Sequence, residues 1–196
     1  MRPGLHWMSA FVTAVLVLAC STASADPPAL KAGVFDPPRS APDFSLSGSD
    51  GRELRMSHYR GRVVLLAFGF TSCTEVCPTT LNTLALARRK LGPAAGDVQV
   101  IYITVDPQRD VPSRMAKYLH AFDPTFVGGS GTEEQLAAVR KSYGISAEKK
   151  IVGDDYTYAH SSFTYLIDRG GRIRALMPYG HSPDDYASDL SILLKE

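Results

Sequence analysis

Two near-continuous apolar runs limit the available folds most: residues 62–70 (RVVLLAFGF) and 98–105 (VQVIYITV). Neither shows an alternating polar face and both hold β-branched residues, so they read as strands buried on both sides, with 62–70 as the central strand. Between them a helical pattern over residues 79–91 places Leu81, Leu84, Ala85 and Leu91 on one side, and Gly92-Pro93 stops it. Residues 111–122, introduced by Asp106-Pro107, are a second helix candidate. The order is strand, helix, strand, helix.

The flanks extend this pattern. Asp43-Phe44-Ser45-Leu46 and Glu53-Leu54-Arg55-Met56 enclose a Ser-Gly-Ser-Asp-Gly turn, which is a hairpin signature. Residues 128–131 read as a loop, and Thr132 opens a helix to Tyr143 with Glu133 and Glu134 at its positive dipole end. Strands are expected around Ile151, over 161–167 and, after Arg169-Gly170-Gly171, over 172–176. Ser182-Pro183 caps a last helix with Tyr186, Leu190 and Leu193 inward. These elements describe an α/β, thioredoxin-like fold: a central mixed sheet flanked by helices, with an N-terminal β-hairpin.

The chain of 196 residues has room for one such domain. Residues 1–25 read as an export leader, with Arg2 at the positive end and an uncharged, mostly apolar stretch over 8–19 that is too short to span a bilayer. Two processing routes fit. Ala23-Ser24-Ala25 before Asp26 is an ordinary signal-peptidase site, whereas Val17-Leu18-Ala19-Cys20 resembles a lipobox that would place a lipid on Cys20. Residues 26–40, rich in proline, read as an extended tether, and the domain is expected over 41–196. The expected location is periplasmic, with membrane contact only through a lipid on Cys20. Without Arg2, the 21 basic and 20 acidic side chains become 20 of each. A neutral domain carries no electrostatic footprint for nucleic acid and gives no reason for a stable partner, so a monomer with transient docking is expected.

Three cysteines in an exported chain leave one unpaired. Assigning Cys20 to the leader or its lipid isolates Cys73 and Cys77. A bridge between them would close a very small loop and stabilise little, so the pair reads as chemical rather than structural. It lies where the central strand passes into the next helix, and Pro78 fits the first helical turn because its missing N–H is not needed there. That helix start favours thiolate, and three intervening residues let both sulfurs point to one place. Two soft thiolates suit copper(I), zinc or an iron cluster. A third ligand must come from elsewhere. His58 and His120 read as structural or solvated, and His181 as part of the last helix's cap. His160 stands at a loop–strand junction after a polar and aromatic loop over 153–158, and spacing alone leaves it open between ligand and surface histidine.

The run from Phe68 to Pro78 (FGFTSCTEVCP) resembles the C-x-x-x-C-P signature of the Sco/SenC family, copper chaperones for the dinuclear copper centre of cytochrome c oxidase. Residues 104–110 (TVDPQRD), 126–132 (FVGGSGT) and 158–168 (YAHSSFTYLID) resemble that family's other segments in order and spacing, and Ala159 stands where members commonly carry an acidic residue. The resemblance implies one copper ion, as Cu(I) or Cu(II), held by Cys73, Cys77 and His160. It implies delivery to the copper-bearing subunit of cytochrome c oxidase or another periplasmic copper acceptor, with reduction of the acceptor's cysteines as a further role. The rival reading is a thiol-disulfide oxidoreductase or redox sensor using Cys73 and Cys77 as its redox pair. The wider spacing separates this pair from the C-x-x-C of ordinary disulfide reductases.

Overall fold

The computed structural model describes residues 29–196; the leader, Cys20 and both processing sites lie outside the described residues. In chain order the strands are β1 (Gly33–Ser40), β2 (Ser45–Gly48), β3 (Glu53–Arg55), β4 (Val63–Gly69), β5 (Val98–Thr104), β6 (Val127–Ser130), β7 (Ala147–Val152), β8 (Asp155–His160), β9 (Phe163–Ile167) and β10 (Arg172–Pro178). The helices are α1 (Val76–Lys90), α2 (Pro112–His120), α3 (Glu133–Tyr143) and α4 (Pro183–Leu193).

Both apolar runs form strands, β4 and β5, in which every residue is buried. β4 and β5 pair in parallel from Val63↔Val98 to Gly69↔Thr104, and β9 runs antiparallel on the other side of β4. The full sheet reads β1-β10-β9-β4-β5-β6-β2-β3, which places β4 in its interior as expected. Side chains such as Leu65 and Leu66, with no exposure, each contribute about 1.5–3 kcal/mol of burial. α1 packs against α4 and α2 against β6. Tyr143 of α3 brings its ring against Phe68 and Tyr165. The fold is thioredoxin-like, a mixed central sheet flanked by helices, and β2 with β3 forms the expected hairpin at one edge.

Local chemistry sets the helix ends. Thr132 and Gln135 form a reciprocal capping box on α3, and Gly144 ends it in the left-handed region at φ 67°. Ser182 and Asp185 do the same for α4, with Pro183 in its first turn.

Three segments differ from expectation. Within residues 26–40, expected to be a tether, Gly33–Ser40 joins the sheet as an edge strand on β10. Its prolines, Pro37 and Pro38, fall in the irregular stretch between the pairs Val34↔Ala175 and Arg39↔Ile173, where no ladder bond requires their N–H. Farther back the chain is gripped at Lys31 and Ala32, whose backbone N–H groups donate to the fully buried Asp189 carboxylate at 2.7 and 2.9 Å. The expected loop at 128–131 is largely β6, paired in parallel with β5. Glycine is required there because a methyl group on Gly128 would come within 2.8 Å of Met115, and one on Gly129 within 2.8 Å of Leu54. Most of the expected polar loop over 153–158 is β8, which pairs with β7 as a separate two-stranded sheet. No helix among the described residues is long and apolar enough to cross a membrane.

Candidate metal centre

The centre lies at the carboxyl end of β4. After Gly69 the chain leaves the sheet, turns through residues 70–75 and enters α1 at Val76, so Cys77 and Pro78 both fall in the first helical turn. Glu75, at the cap position, makes no side-chain capping bond. The Cys73 sulfur takes that role, accepting the Cys77 backbone N–H at 3.4 Å. A strand-to-helix turn can expose both sulfurs. Cys73 is half-buried, but Cys77 is only 2 % exposed, since its place on the first turn points it back under the end of β4.

The two thiols are free and differ sharply in acidity. The Cys77 thiol donates to Cys73, and this bond, helped by the backbone N–H groups of Cys77, Glu75 and Val76, holds Cys73 down at about 5 against the opposing effect of its partial burial. The same bond, followed by burial, pushes Cys77 far above the ordinary thiol range. The pair therefore titrates as a unit, with burial favouring the neutral form of Cys77.

His160 ends β8, opposite Ala147 of β7. Its Nδ1 is 2.9 Å from the Ser161 carbonyl oxygen, an acceptor only, which places the proton on Nδ1 and leaves the Nε2 lone pair facing Cys77 Sγ at 3.6 Å. Its ring stands edge-on to Phe70, as does that of Tyr158. The structure thus brings His160 to the sulfurs across the fold. His181 lies elsewhere, 3.5 Å from Asp185 at the cap of α4. Cys77 is the hub, touching both Cys73 and His160. Among the described residues no three His, Cys, Asp or Glu side chains already enclose an ion position, so a common ion requires Cys73 and His160 to draw together.

Residues 106–110 hold both arms of the centre. Fully buried Asp110 accepts the Thr71 N–H at 2.9 Å, the Thr71 hydroxyl at 2.5 Å and the Thr104 hydroxyl at 2.7 Å. Arg114 adds bonds to Thr71 Oγ1 at 2.7 Å and Ser72 Oγ at 2.9 Å, fixing the backbone just before Cys73. Arg109, ion-paired with buried Asp106, reaches the Tyr156 carbonyl at 3.1 Å and lays its guanidinium over the Tyr156 ring at 3.8 Å. The Tyr156 hydroxyl donates back to Asp106 at 3.1 Å, and Lys149 lies over the Tyr156 ring at 3.5 Å while bonding Gln108. Asp155 pairs with Arg109 at 3.3 Å and Tyr158 packs on Phe70. Sequence spacing alone did not reveal Asp110, Arg114 or the Arg109–Tyr156 contact. The signal was present in the charged, proline-marked run TVDPQRD, which interrupts an otherwise apolar stretch.

Residues 35–195 match the family model described as SCO1/SenC. A "SCO2-like protein" of Rickettsia felis is 37% identical over 134 residues, covering 66% of this chain and 65% of that protein. "Protein SCO2 homolog, mitochondrial" of Bos taurus is 41% identical over 133 residues, covering 66% of this chain and 50% of that protein. The chain thus spans less than two thirds of the length of these relatives. Among solved structures, Bradyrhizobium japonicum ScoI with copper bound superposes with a TM-score of 0.74 at 36% identity, covering 79% of this chain and 99% of that one.

Proposed function

The chain belongs to the SCO1/SenC family, and from that premise we propose that it binds one copper ion through Cys73, Cys77 and His160 and passes it by ligand exchange to the copper-bearing subunit of cytochrome c oxidase or another periplasmic acceptor. The observation that carries this reading is the meeting of two segments distant in sequence, the turn into α1 and the end of β8. A thiolate at the start of α1, a second sulfur in the same turn and an imidazole with its free nitrogen 3.6 Å from that sulfur form a soft, mixed donor set. Two thiolates suit copper(I), and the imidazole accommodates copper(II) as well. Loading releases the thiol proton from Cys77 and requires the Nε2 lone pair of His160. The copper-bound relative of similar fold supports the choice of metal.

Copper titration of the reduced protein tests the proposal. One equivalent should bind to the wild type, Cys73→Ser or Cys77→Ser should abolish tight binding, and His160→Ala should retain copper(I) while losing stable copper(II). Unchanged copper(II) absorption in His160→Ala would remove that residue from the ligand set.

A second reading, thiol-disulfide exchange by the same pair, draws support from the lowered pKa of Cys73 at a helix start, the property of an attacking thiolate. In that role Cys73 attacks the acceptor's disulfide and one acceptor thiol leaves; Cys77, giving up its proton, then attacks Cys73 and releases the second acceptor thiol, leaving a Cys73–Cys77 disulfide and a reduced acceptor.

A further inference from the structure

One hydroxyl beside the sulfurs has no partner. Tyr102 on β5 is 1 % exposed, and its O–H finds no acceptor in ordinary hydrogen-bond geometry, although the Cys77 sulfur lies close enough to interact with it; buried tyrosines ordinarily find an acceptor. Two other core tyrosines are satisfied: Tyr186 donates to Thr164 at 3.1 Å and Tyr165 to the Tyr143 carbonyl. The unpartnered group is aimed at the centre. A methyl group on Gly69 would collide with the Tyr102 hydroxyl and come within 2.7 Å of Cys77 Sγ, so oxygen and sulfur close over the same glycine. Gly69 does not have positive φ, so this crowding, rather than backbone conformation, is what excludes a side chain there. Tyr102 and Cys77 also share the wall of a cavity of about 20 Å³ with Thr80 and Thr164.

We propose that Tyr102 is a positioning residue of the copper centre, its hydroxyl donating to the Cys77 sulfur once the metal has replaced the thiol proton. This rests on the reading that Cys77 ligates copper. A neutral thiol is a weak acceptor and gives the phenol little to bond, while a metal-bound thiolate accepts strongly. When copper binds, the sulfur–hydrogen bond is exchanged for a sulfur–copper bond, the proton passes to solvent, and the hydroxyl gains the partner it lacked. That donor draws electron density from the sulfur. Copper(II) depends on sulfur donation more than copper(I) does, so the bond favours copper(I) and raises the reduction potential.

Tyr102→Phe removes the oxygen and keeps the ring. With Tyr118→Phe as control, since Tyr118 is another buried hydroxyl without a partner, the mature protein is loaded with copper(II) and with copper(I). Metal-free Tyr102→Phe should melt no lower than wild type, because only an unpartnered hydroxyl is lost. Its sulfur-to-copper absorption should move to longer wavelength, its midpoint potential should fall, and its affinity for copper(II) relative to copper(I) should rise about threefold to tenfold. Tyr118→Phe should match wild type. A wild-type spectrum and potential in Tyr102→Phe, an equal shift in Tyr118→Phe, or a Tyr102→Phe protein that fails to fold would each overturn the role of Tyr102. A wild-type protein with no sulfur-to-copper band would instead overturn the copper reading beneath it.

Discussion

Cys73 and Cys77 lie one helical turn apart and have opposite thiol chemistry. Cys73 is the ionised cap of α1; Cys77 is the buried donor that keeps it ionised. A lowered pKa keeps the reactive thiolate present above about 5. Alkylation of the reduced, metal-free protein should therefore label Cys73 first, at a rate that is flat near neutrality and is lost as pH falls through about 5. Mass mapping that finds both cysteines labelled equally at pH 7 would contradict this division. Asp110 offers a second test at this scale. Asp110→Ala leaves two hydroxyls and the Thr71 N–H without their acceptor, at a cost of about 3–5 kcal/mol by denaturant unfolding. At this scale, the cysteine pair could be read from the sequence because two cysteines beside a strand–helix junction have few other uses. Tyr102 could not, because a tyrosine within VQVIYITV looks like any other core residue until Gly69 and Cys77 are seen to close around its hydroxyl.

Among the elements, the β7–β8 hairpin matters most to the centre because it carries His160 without belonging to the main sheet. Its attachment depends on the Arg109–Asp106–Tyr156 group and on packing of Tyr158 against Phe70. Arg109→Ala should loosen the hairpin by about 1–2 kcal/mol, seen as faster amide exchange confined to residues 147–160. Copper(II) affinity should fall with it and copper(I) affinity much less, since only the imidazole arm has been freed. Uniform exchange changes across the sheet would show that the group supports the core instead. The strands missed from sequence share a cause. β8 (DYTYAH) is polar on one face and aromatic on the other, so it lacks the apolar run that marked β4 and β5. β6 (VGGS) is rich in glycine because helix and strand side chains press on its backbone, and in sequence such residues signal a turn.

Across the whole molecule, β1 closes one edge of the sheet, and Asp189 on α4 fastens the chain that leads into it. A protein beginning at Ala41, where the sequence suggested the domain starts, should lose several kcal/mol, expose the β10 edge and associate, measured by thermal melting and light scattering. A truncated chain with wild-type stability would show that residues 29–40 are only draped on the surface. Asp189→Ala should reproduce part of the loss, about 2–3 kcal/mol, with β1 present. Proline-rich composition hid this strand because edge strands tolerate proline where interior strands do not. Mass spectrometry of the native N-terminus separates a lipid on Cys20 from a chain beginning at Asp26.

The place where β1 meets the sheet also sets a direction. Gly33 pairs with Leu176, two residues from the Pro178 that faces Phe163, so the chain arrives at the His160 end of the sheet. If Cys20 carries a lipid, the stretch from Cys20 to Lys31 is a leash of about 40 Å at full extension. The domain would then stay within that reach of the bilayer, its donor end on the side where the chain enters. An acceptor embedded in the same bilayer would meet it by a search across a surface rather than through a volume, at an effective concentration set by the leash. Cutting the leash would slow transfer to such an acceptor without altering the affinity of the centre for its ion.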